Sequence, residues 1–292
     1  MLEYFKPTSI QEATQLRASR SASCYLGGGT IVNSLSWEKQ VQAGRCQAYE
    51  ALIDVTALPL DGISCDDEYI YIGGNVTLQD ILENALTPEL LRQNLRQFVN
   101  RNVRNVATIG GSLASRQSCS NATAALVALH AEVEVCRYDA EKKAVECQFV
   151  SVEDYENCDC TQALISQVRV PKCWAGKACA TRNYSRSMHD ISLLVADVIL
   201  SLQNGIVESI SVSACGVASR VLRLSTLEKA LQGQALPERE KLAELVKADI
   251  KVIDDFRSSA EFKAYTITEL VDWCLHNAAA PAEHKCSCAG KR

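Results

Sequence analysis

The 292-residue chain carries 30 basic and 35 acidic side chains, and its formal charge of −5 gives no electrostatic attraction to nucleic acid or an anionic membrane surface. Its 47% hydrophobic and 22% charged residues indicate a globular protein, and no apolar run approaches the roughly 20 residues of a membrane-spanning helix. The N-terminus lacks the basic segment and apolar core of a secretion signal, which predicts a cytoplasmic protein without membrane insertion.

The first part of the chain is predicted to alternate short helices and strands. Two overlapping capping boxes, Thr8 with Gln11 and Ser9 with Glu12, open a helix that extends to about Ala18. Apolar and β-branched runs then predict short strands. These strands cover residues 24–26, 51–55 and 69–74.

The middle of the chain continues this mixture. Thr77 caps a predicted helix, Pro88 opens the next one, and residues 122–131 form a small-residue apolar helix. A turn at residues 141–143 joins two predicted strands of a hairpin. The strands of this region cover residues 133–136, 145–150 and 165–170.

A change of composition at residues 172–177 indicates a linker to a second unit. Beyond it, Asn204-Gly205 between two apolar runs is the strongest local signal of a β-hairpin in the chain. Ser225 and Glu228 have the spacing of a capping box, and Gly233 is placed to end that helix. Helical patterns continue after Pro237, and the last ten residues are predicted to be a polar tail.

Two glycine-rich turns carry most of the functional signal. Residues 25–30 read Tyr-Leu-Gly-Gly-Gly-Thr, and residues 106–112 read Val-Ala-Thr-Ile-Gly-Gly-Ser. Glycine lets backbone come close to a phosphate, and successive exposed N–H groups form a concavity for an anion. Two such turns therefore predict a clamp on a dinucleotide diphosphate.

The 14 cysteines favour structural roles over a metal site. Because no export signal is present, we predict no disulfides, and most cysteines lie in apolar surroundings. The close pairs Cys158/Cys160 and Cys286/Cys288 do not have the spacing of a zinc ribbon. A cysteine-ligated metal or cluster site at these pairs stays as the least favoured alternative.

No arrangement of residues predicts acid–base or nucleophilic catalysis by the protein itself. The sequence contains no Rossmann fingerprint, Walker A motif, H-E-x-x-H or G-x-S-x-G. Its four histidines do not suggest a Ser–His–Asp set, so we name no catalytic residue. This pattern indicates that any chemistry belongs to a bound cofactor.

The order of motifs resembles the FAD-binding (medium) subunit of the xanthine dehydrogenase, or molybdenum hydroxylase, family. The resemblance rests on the first glycine turn, on Ile-Gly-Gly-Asn-Val-Thr-Leu at residues 72–78 and on Arg-Asn-Val-Ala-Thr-Ile-Gly-Gly at residues 104–111. It implies an α+β fold: a two-part FAD-binding domain, here residues 1–172, followed by a domain of antiparallel sheet with helices, here residues 178–292.

The resemblance also implies which residues contact FAD. The first turn contributes residues 25–32, the second turn contributes Thr108, Gly110 and Gly111, and Phe98 stands where the family has an aromatic residue near the flavin. The chain departs from the family's usual residues at four positions, where an acid, Asn, Asp and Lys respectively are common: Ile31, Ser112, Asn121 and Arg182. We expect Gly110→Val to abolish flavin retention by blocking the anion cradle. The cofactor-binding residues are predicted to be Tyr25, Leu26, Gly27, Gly28, Gly29, Thr30, Ile31, Val32, Phe98, Thr108, Gly110, Gly111, Ser112, Asn121 and Arg182.

The function implied is that of an oxidoreductase subunit. Electrons from a molybdenum centre would arrive through iron–sulfur clusters and leave the FAD for NAD⁺ or another acceptor. The implied partners are a [2Fe-2S] subunit and a molybdopterin-binding large subunit. The altered residues at the glycine turns leave open a second hypothesis, a structural or assembly subunit that has lost its flavin.

Overall fold

The computed structural model describes residues 2–34, 41, 48–158, 162–187 and 190–280. The predicted polar tail and the cysteines Cys160, Cys286 and Cys288 lie outside these residues. The fold is of the predicted α+β class, and its described residues form three sheets together with helices. Within the described part of the chain, none of the helices has the length and apolar character needed to cross a membrane.

The N-terminal sheet is small and parallel. Its strand order is β1-β3-β2, and helix α1 connects its first two strands. Ser9 caps α1 by accepting a hydrogen bond from the Glu12 amide at 3.1 Å, which confirms the predicted N-cap, while the Glu12 carboxylate accepts from the Thr8 amide at 2.9 Å and not from the Ser9 amide of a complete capping box. The bounds are β1 Glu3–Phe5, α1 Ile10–Ala18, β2 Ser23–Leu26 and β3 Ala51–Asp54.

The second sheet has five antiparallel strands in the order β4-β5-β8-β6-β7. Its strands are β4 Ile63–Cys65, β5 Tyr69–Gly73, β6 Glu132–Asp139, β7 Ala144–Ser151 and β8 Leu164–Pro171. Its helices are α2 Leu78–Glu83, α3 Glu89–Arg96, α4 Arg101–Arg104, α5 Ile109–Ala114, α6 Asn121–Ala128, α7 Val152–Asn157 and α8 Lys172–Ala175. The helix α8 occupies the predicted linker.

The third sheet has four antiparallel strands in the order β12-β11-β10-β9. The predicted hairpin at Asn204-Gly205 is present, with φ of 52° and 78° at the two turn residues. The strands are β9 Ala178–Tyr184, β10 Leu194–Gln203, β11 Ile206–Cys215 and β12 Leu222–Arg223. The helices are α9 Ser225–Leu231, α10 Arg239–Asp249 and α11 Ala260–Ala279.

The predicted capping box at the start of α9 is wrong. Leu224 is the N-cap residue, and Glu228 instead accepts a hydrogen bond from the Val212 amide at 2.7 Å. Asp249 satisfies the first turn of the helix by accepting from the amides of Thr226 and Leu227. A tertiary carboxylate has therefore replaced the local cap that the sequence spacing suggested.

The expectation of no disulfides is also wrong. Cys136 and Cys147 are joined by a disulfide. They are register partners on the antiparallel strands β6 and β7, so the hairpin turn between them sets the two side chains opposite each other. The sequence argument considered the redox compartment and not the cross-strand register.

The C-terminal sheet packs directly against helices of the preceding unit. Every residue of α6 is buried, and the Ser213 hydroxyl donates to the Ala124 carbonyl of α6 at 2.7 Å. Asp197 on β10 is fully buried and accepts hydrogen bonds from the Asn94 side chain at 3.1 and 3.2 Å. Burial raises the pKa of Asp197 to about 7, and its hydrogen bond from Asn94 opposes that rise.

Candidate functional site

The two glycine turns meet at the wall of one cavity. An ideal Cβ at Gly28 would come within 1.6 Å of the Val106 carbonyl oxygen, and one at Gly27 within 3.0 Å of the Thr108 hydroxyl. The backbones of the turns are therefore in contact, and only glycine fits at residue 28 without a shift. The cavity beside them measures about 550 Å³, within the range of small-molecule and cofactor sites.

Most of the predicted cofactor-binding residues line this cavity. The N-terminal turn contributes all of residues 25–32, and Phe98 at the end of α3 forms part of the wall while also packing on the core. The second turn contributes Thr108, Gly111 and Ser112, and Asn121 lies at the start of α6. The fold thus gathers segments far apart in sequence around one space.

Two predicted residues do not line the cavity. A Cβ at Gly110 would meet the Gly74 carbonyl oxygen at 2.7 Å, so this glycine permits close packing on the loop after β5. The expected effect of Gly110→Val on flavin retention therefore loses its stated reason, obstruction of the cradle. Arg182 lies on β9 with its guanidinium carbon 4.6 Å from the centre of the Trp273 ring.

The first turn lines the cavity with a run of main-chain N–H groups that are not used elsewhere in the described chain. Within the described part of the chain, the amides of residues 28–32 donate no hydrogen bond. Gly29 has φ of +68°, a conformation that glycine adopts without strain. Unpaired amides along a bend are the arrangement that binds an anion such as a diphosphate.

Most amides of the second turn are bonded within the protein. The amides of Ile109 and Gly110 donate to the carbonyls of Val76 and Gly74, at 3.1 and 3.0 Å. The Gly111 amide donates to the Thr108 hydroxyl, which caps α5, at 3.1 Å. Of residues 106–112, only the Thr108 amide donates no hydrogen bond within the described chain, so the second turn adds a single main-chain donor, and not a row of donors, to its shape and the side chains of Thr108 and Ser112.

Two side chains of the wall carry buried polar atoms without a partner among the described residues. They are the Tyr25 hydroxyl and the side-chain amide nitrogen of Asn121, and the residue Asn121 as a whole is 3% exposed. Burial raises the pKa of the Tyr25 hydroxyl, so it stays protonated and is a donor at neutral pH. Unsatisfied polar atoms that line a cavity fit a ligand with its own hydrogen-bonding groups, and a flavin is such a ligand.

Several lining residues were not identified from the sequence. Arg17 of α1 and Tyr155 of α7 form part of the wall, as do Ile191 and Ser192 before β10. Cys24 and Cys119 line it too, and burial raises the pKa of the Cys24 thiol to about 11, which keeps it protonated. Only tertiary packing brings these residues to the site.

The described residues hold no group of three or more His, Cys, Asp or Glu side chains placed to bind a metal ion. Of the two C-x-C pairs, only Cys158 belongs to the described residues, and its carbonyl accepts a hydrogen bond from Arg116 at 2.7 Å. The alternative of a cysteine-ligated site at both pairs therefore gains no geometric support within this part of the molecule.

Two protein families together match almost the whole length of the chain. Residues 1–173 match the family described as FAD binding domain in molybdopterin dehydrogenase, and residues 180–278 match the CO dehydrogenase flavoprotein C-terminal domain. Similar proteins include YgfM of Escherichia coli K12, whose function is uncharacterised, at 29% identity over 92% of this chain and 93% of that protein. Another is the nicotine 6-hydroxylase medium subunit of Paenarthrobacter nicotinovorans, at 25% identity over 92% and 94%.

Solved structures share the fold. Carbon monoxide dehydrogenase from Hydrogenophaga pseudoflava superimposes with a TM-score of 0.83 at 23% identity, covering 94% of this chain and 96% of that chain. Quinoline 2-oxidoreductase from Pseudomonas putida 86 gives 0.79 at 20% identity, covering 96% and 99%. At these identities the solved structures establish only the architecture. The match to the FAD-binding family indicates the cofactor.

Proposed function

The chain belongs to the family of FAD-binding proteins of molybdopterin dehydrogenases, and from this premise we propose that it is the electron-transferring flavoprotein subunit of a molybdenum hydroxylase complex. The observation that carries the proposal is the cavity itself. It is lined by residues 28–32, whose amides donate no hydrogen bond within the described chain, and by Tyr25 and Asn121, each of which has a buried polar atom without a partner there. FAD is the cofactor of this family, and its diphosphate and polar ring edges match these groups.

Each segment of the wall has a proposed role in holding FAD. The amides of residues 28–32 would bind the diphosphate, with Thr108 and Ser112 as side-chain donors from the opposite turn. Asn121 would donate to the flavin or its ribityl chain through Nδ2, which has no other partner among the described residues. Phe98 and Ile191 would exclude water from the apolar part of the ligand.

When bound, FAD would supply the redox chemistry that accepts electrons from iron–sulfur clusters of a partner and delivers them to NAD⁺ or another acceptor. The chain's own residues would position the cofactor and leave the electron transfer to it. The half-buried Cys24 thiol and the Tyr25 hydroxyl both have raised pKa values and stay protonated at neutral pH, so they face the cofactor as neutral groups. The relatives that are named as medium subunits support the proposed partners, an iron–sulfur chain and a molybdopterin-binding chain. A cytoplasmic location stays a prediction from the sequence.

Flavin stoichiometry tests this proposal against the scaffold hypothesis. We expect protein purified under mild conditions to show flavin absorption bands and about one FAD per chain. A value near zero, in the isolated chain and in the assembled complex, would support the structural subunit instead. Anaerobic addition of NADH to the flavin-containing protein then tests the acceptor, because bleaching of the flavin bands is expected only if NAD⁺ is the physiological partner.

A further inference from the structure

The described wall of the flavin cavity contains one charged side chain, that of Arg17 near the end of α1. Among the described residues that line the cavity, there is no other Arg and no Lys, His, Asp or Glu. The Cys24 thiol and the Tyr25 hydroxyl of the same wall are neutral, because burial raises both pKa values and the Arg17 charge opposes the rise only in part. This wall therefore has a net positive charge, which fits an anionic ligand.

Arg17 is almost completely buried, yet no acidic side chain of the described residues compensates its charge. The residue is 9% exposed, and it takes part in none of the ion pairs found within the described chain. A charge that is removed from water without a counter-charge destabilises a protein. A ligand that brings negative charge and hydrogen-bond acceptors would remove this cost.

Contacts with the chain hold the guanidinium group in place without neutralising it. Its Nη1 atom donates to the carbonyls of Arg20 and Ser21, at 3.1 and 3.2 Å, and to the Ser23 hydroxyl at 3.3 Å. All three acceptors are uncharged. The Nε and Nη2 atoms donate to none of the described residues, so a fixed cation keeps donors for a ligand in the cavity that it lines.

Arg17 is separated from the glycine turn by the length of β2. Its partner Ser23 is the first residue of that strand, and the turn follows Leu26, the last residue. Three steps along a strand span about 10 Å, which is the scale of a nucleoside. A dinucleotide whose diphosphate lies at the turn would therefore place one half along β2 towards Arg17. The other half would lie against Asn121, as proposed for the flavin.

Tyr49 lies at the same end of the cavity as Arg17. It belongs to the wall, and the amide of its neighbour Glu50 donates at 2.7 Å to the carbonyl of Ala22, directly before β2. Aromatic rings and guanidinium planes are both groups on which a nucleobase stacks. This end of the cavity thus has the residue types that recognise a base.

We propose that Arg17 binds the adenosine half of FAD and so determines which way round the dinucleotide lies. The inference rests on the proposed function, in which Asn121 holds the flavin half, and adds the residue that holds the other half. A guanidinium group only donates hydrogen bonds, and the ring nitrogens of adenine accept them. Its positive charge also attracts the phosphate attached to the adenosine.

The test titrates the apoprotein with the two halves of FAD separately, as AMP and as FMN. We expect Arg17→Gln to raise the dissociation constant for AMP about tenfold or more and that for FMN less than about twofold. Arg17→Lys keeps the charge but not the planar donors, so it should raise the constant for AMP only about threefold and leave that for FMN unaltered.

Arg20→Gln is the matched control for the loss of a positive charge. Arg20 follows three residues after Arg17, but its side chain is paired with Glu3 at 3.2 Å and does not line the cavity. The control is expected to bind AMP and FMN as tightly as wild type. Weakening of AMP binding by Arg20→Gln as large as that by Arg17→Gln would overturn the proposal.

Three further outcomes would overturn the assignment of Arg17. They are equal weakening of AMP and FMN binding, weakening of FMN binding alone, and a wild-type apoprotein that binds no AMP. If Arg17→Gln binds neither ligand because it does not fold, Arg17→Lys decides, and equal losses for its two ligands would refute the role. The FAD content of the wild-type protein tests the proposed function separately. Protein without FAD that binds AMP through Arg17 would refute that function and leave the adenosine site standing.

Discussion

The two glycine turns look alike in sequence but differ in how their main-chain amides are hydrogen-bonded. In the first, the amides of residues 28–32 are unpaired within the described chain and line the cavity. In the second, the amides of Ile109, Gly110 and Gly111 are all bonded to groups of the protein. A glycine-rich turn therefore has two distinct uses, exposing main-chain donors to a ligand or allowing two backbones to touch.

The difference separates binding residues from packing residues. Gly28 lies on the donor-bearing turn, yet its missing Cβ accommodates Val106 of the other turn. Gly110 accommodates Gly74, while its neighbour Gly111 faces the cavity. Substitutions at these positions should consequently affect the free energy of unfolding and the retention of FAD to different extents.

The largest effect is expected from Gly28→Ala, which would break the contact between the turns. The new Cβ would lie 1.6 Å from the Val106 carbonyl oxygen and 2.5 Å from its carbon, so the backbone itself has to move. We expect the free energy of unfolding to fall by about 3 kcal/mol or more and FAD content to fall at least tenfold. Urea unfolding and the visible spectrum after gel filtration measure the two effects.

Gly62→Ala is the control for that substitution. Gly62 is exposed, and an added Cβ there has no heavy atom within 4 Å. The control should leave both the unfolding midpoint and the FAD content as in wild type. Wild-type behaviour of Gly28→Ala would contradict the arrangement in which the turns touch.

A smaller and more selective effect is expected from the neighbouring pair Gly110→Ala and Gly111→Ala. A Cβ at Gly110 meets backbone at 2.7 Å, so this variant should lose about 1–3 kcal/mol of stability while its folded fraction keeps FAD. A Cβ at Gly111 meets only the Thr108 hydroxyl, at 3.0 Å, and narrows the cavity. We expect it to raise the dissociation constant for FAD about tenfold with less than about 1 kcal/mol lost in stability.

The same two measurements, urea unfolding and FAD titration of the apoprotein, decide the outcome. Equal losses of stability and affinity in both variants would show that the two glycines share one role. A reversed pattern, in which Gly110→Ala weakens FAD binding without a loss of stability, would indicate that the second turn binds the diphosphate through its backbone.

Local sequence patterns predicted the elements that local interactions decide. Ser9 and Glu12 form a cap within one turn of chain, and Asn204-Gly205 supplies the positive φ values of a hairpin, so neighbouring residues suffice. At α9 the same kind of pattern was wrong, because Asp249 from another helix satisfies the amides that Ser225 was expected to cap. Edge strands as short as β1 were missed, since three residues carry no periodicity.

The residues of the site divide in the same way, into those that a local sequence pattern identifies and those that only tertiary packing brings together. The first turn was predicted with its residues because the glycines and the strand before them are consecutive. Arg17, Tyr155 and Ser192 reach the wall only through tertiary packing, so no local pattern identifies them. Nor does sequence distinguish the unpaired amides of residues 28–32 from the paired amides at Ile109 and Gly110, since their hydrogen-bond partners come from the loop after β5.

The smallest effect is expected at Asn121, which tests whether side chains near the second turn bind the flavin when most of that turn's amides are bonded within the protein. Asn121→Ala removes a buried donor that has no partner in the described chain, so stability should change little. We expect the dissociation constant for FAD to rise about fivefold, the equivalent of roughly 1 kcal/mol for one hydrogen bond. Fluorescence titration of the apoprotein with FAD measures this change.

The control Asn277→Ala, on the exposed side of α11 where its amide donates to the Trp273 carbonyl, should leave that constant unaltered. An Asn121→Ala protein that binds FAD as tightly as wild type would leave the first turn as the main source of polar contacts, because Thr108 and Ser112 would then be the only side-chain donors proposed from the opposite wall.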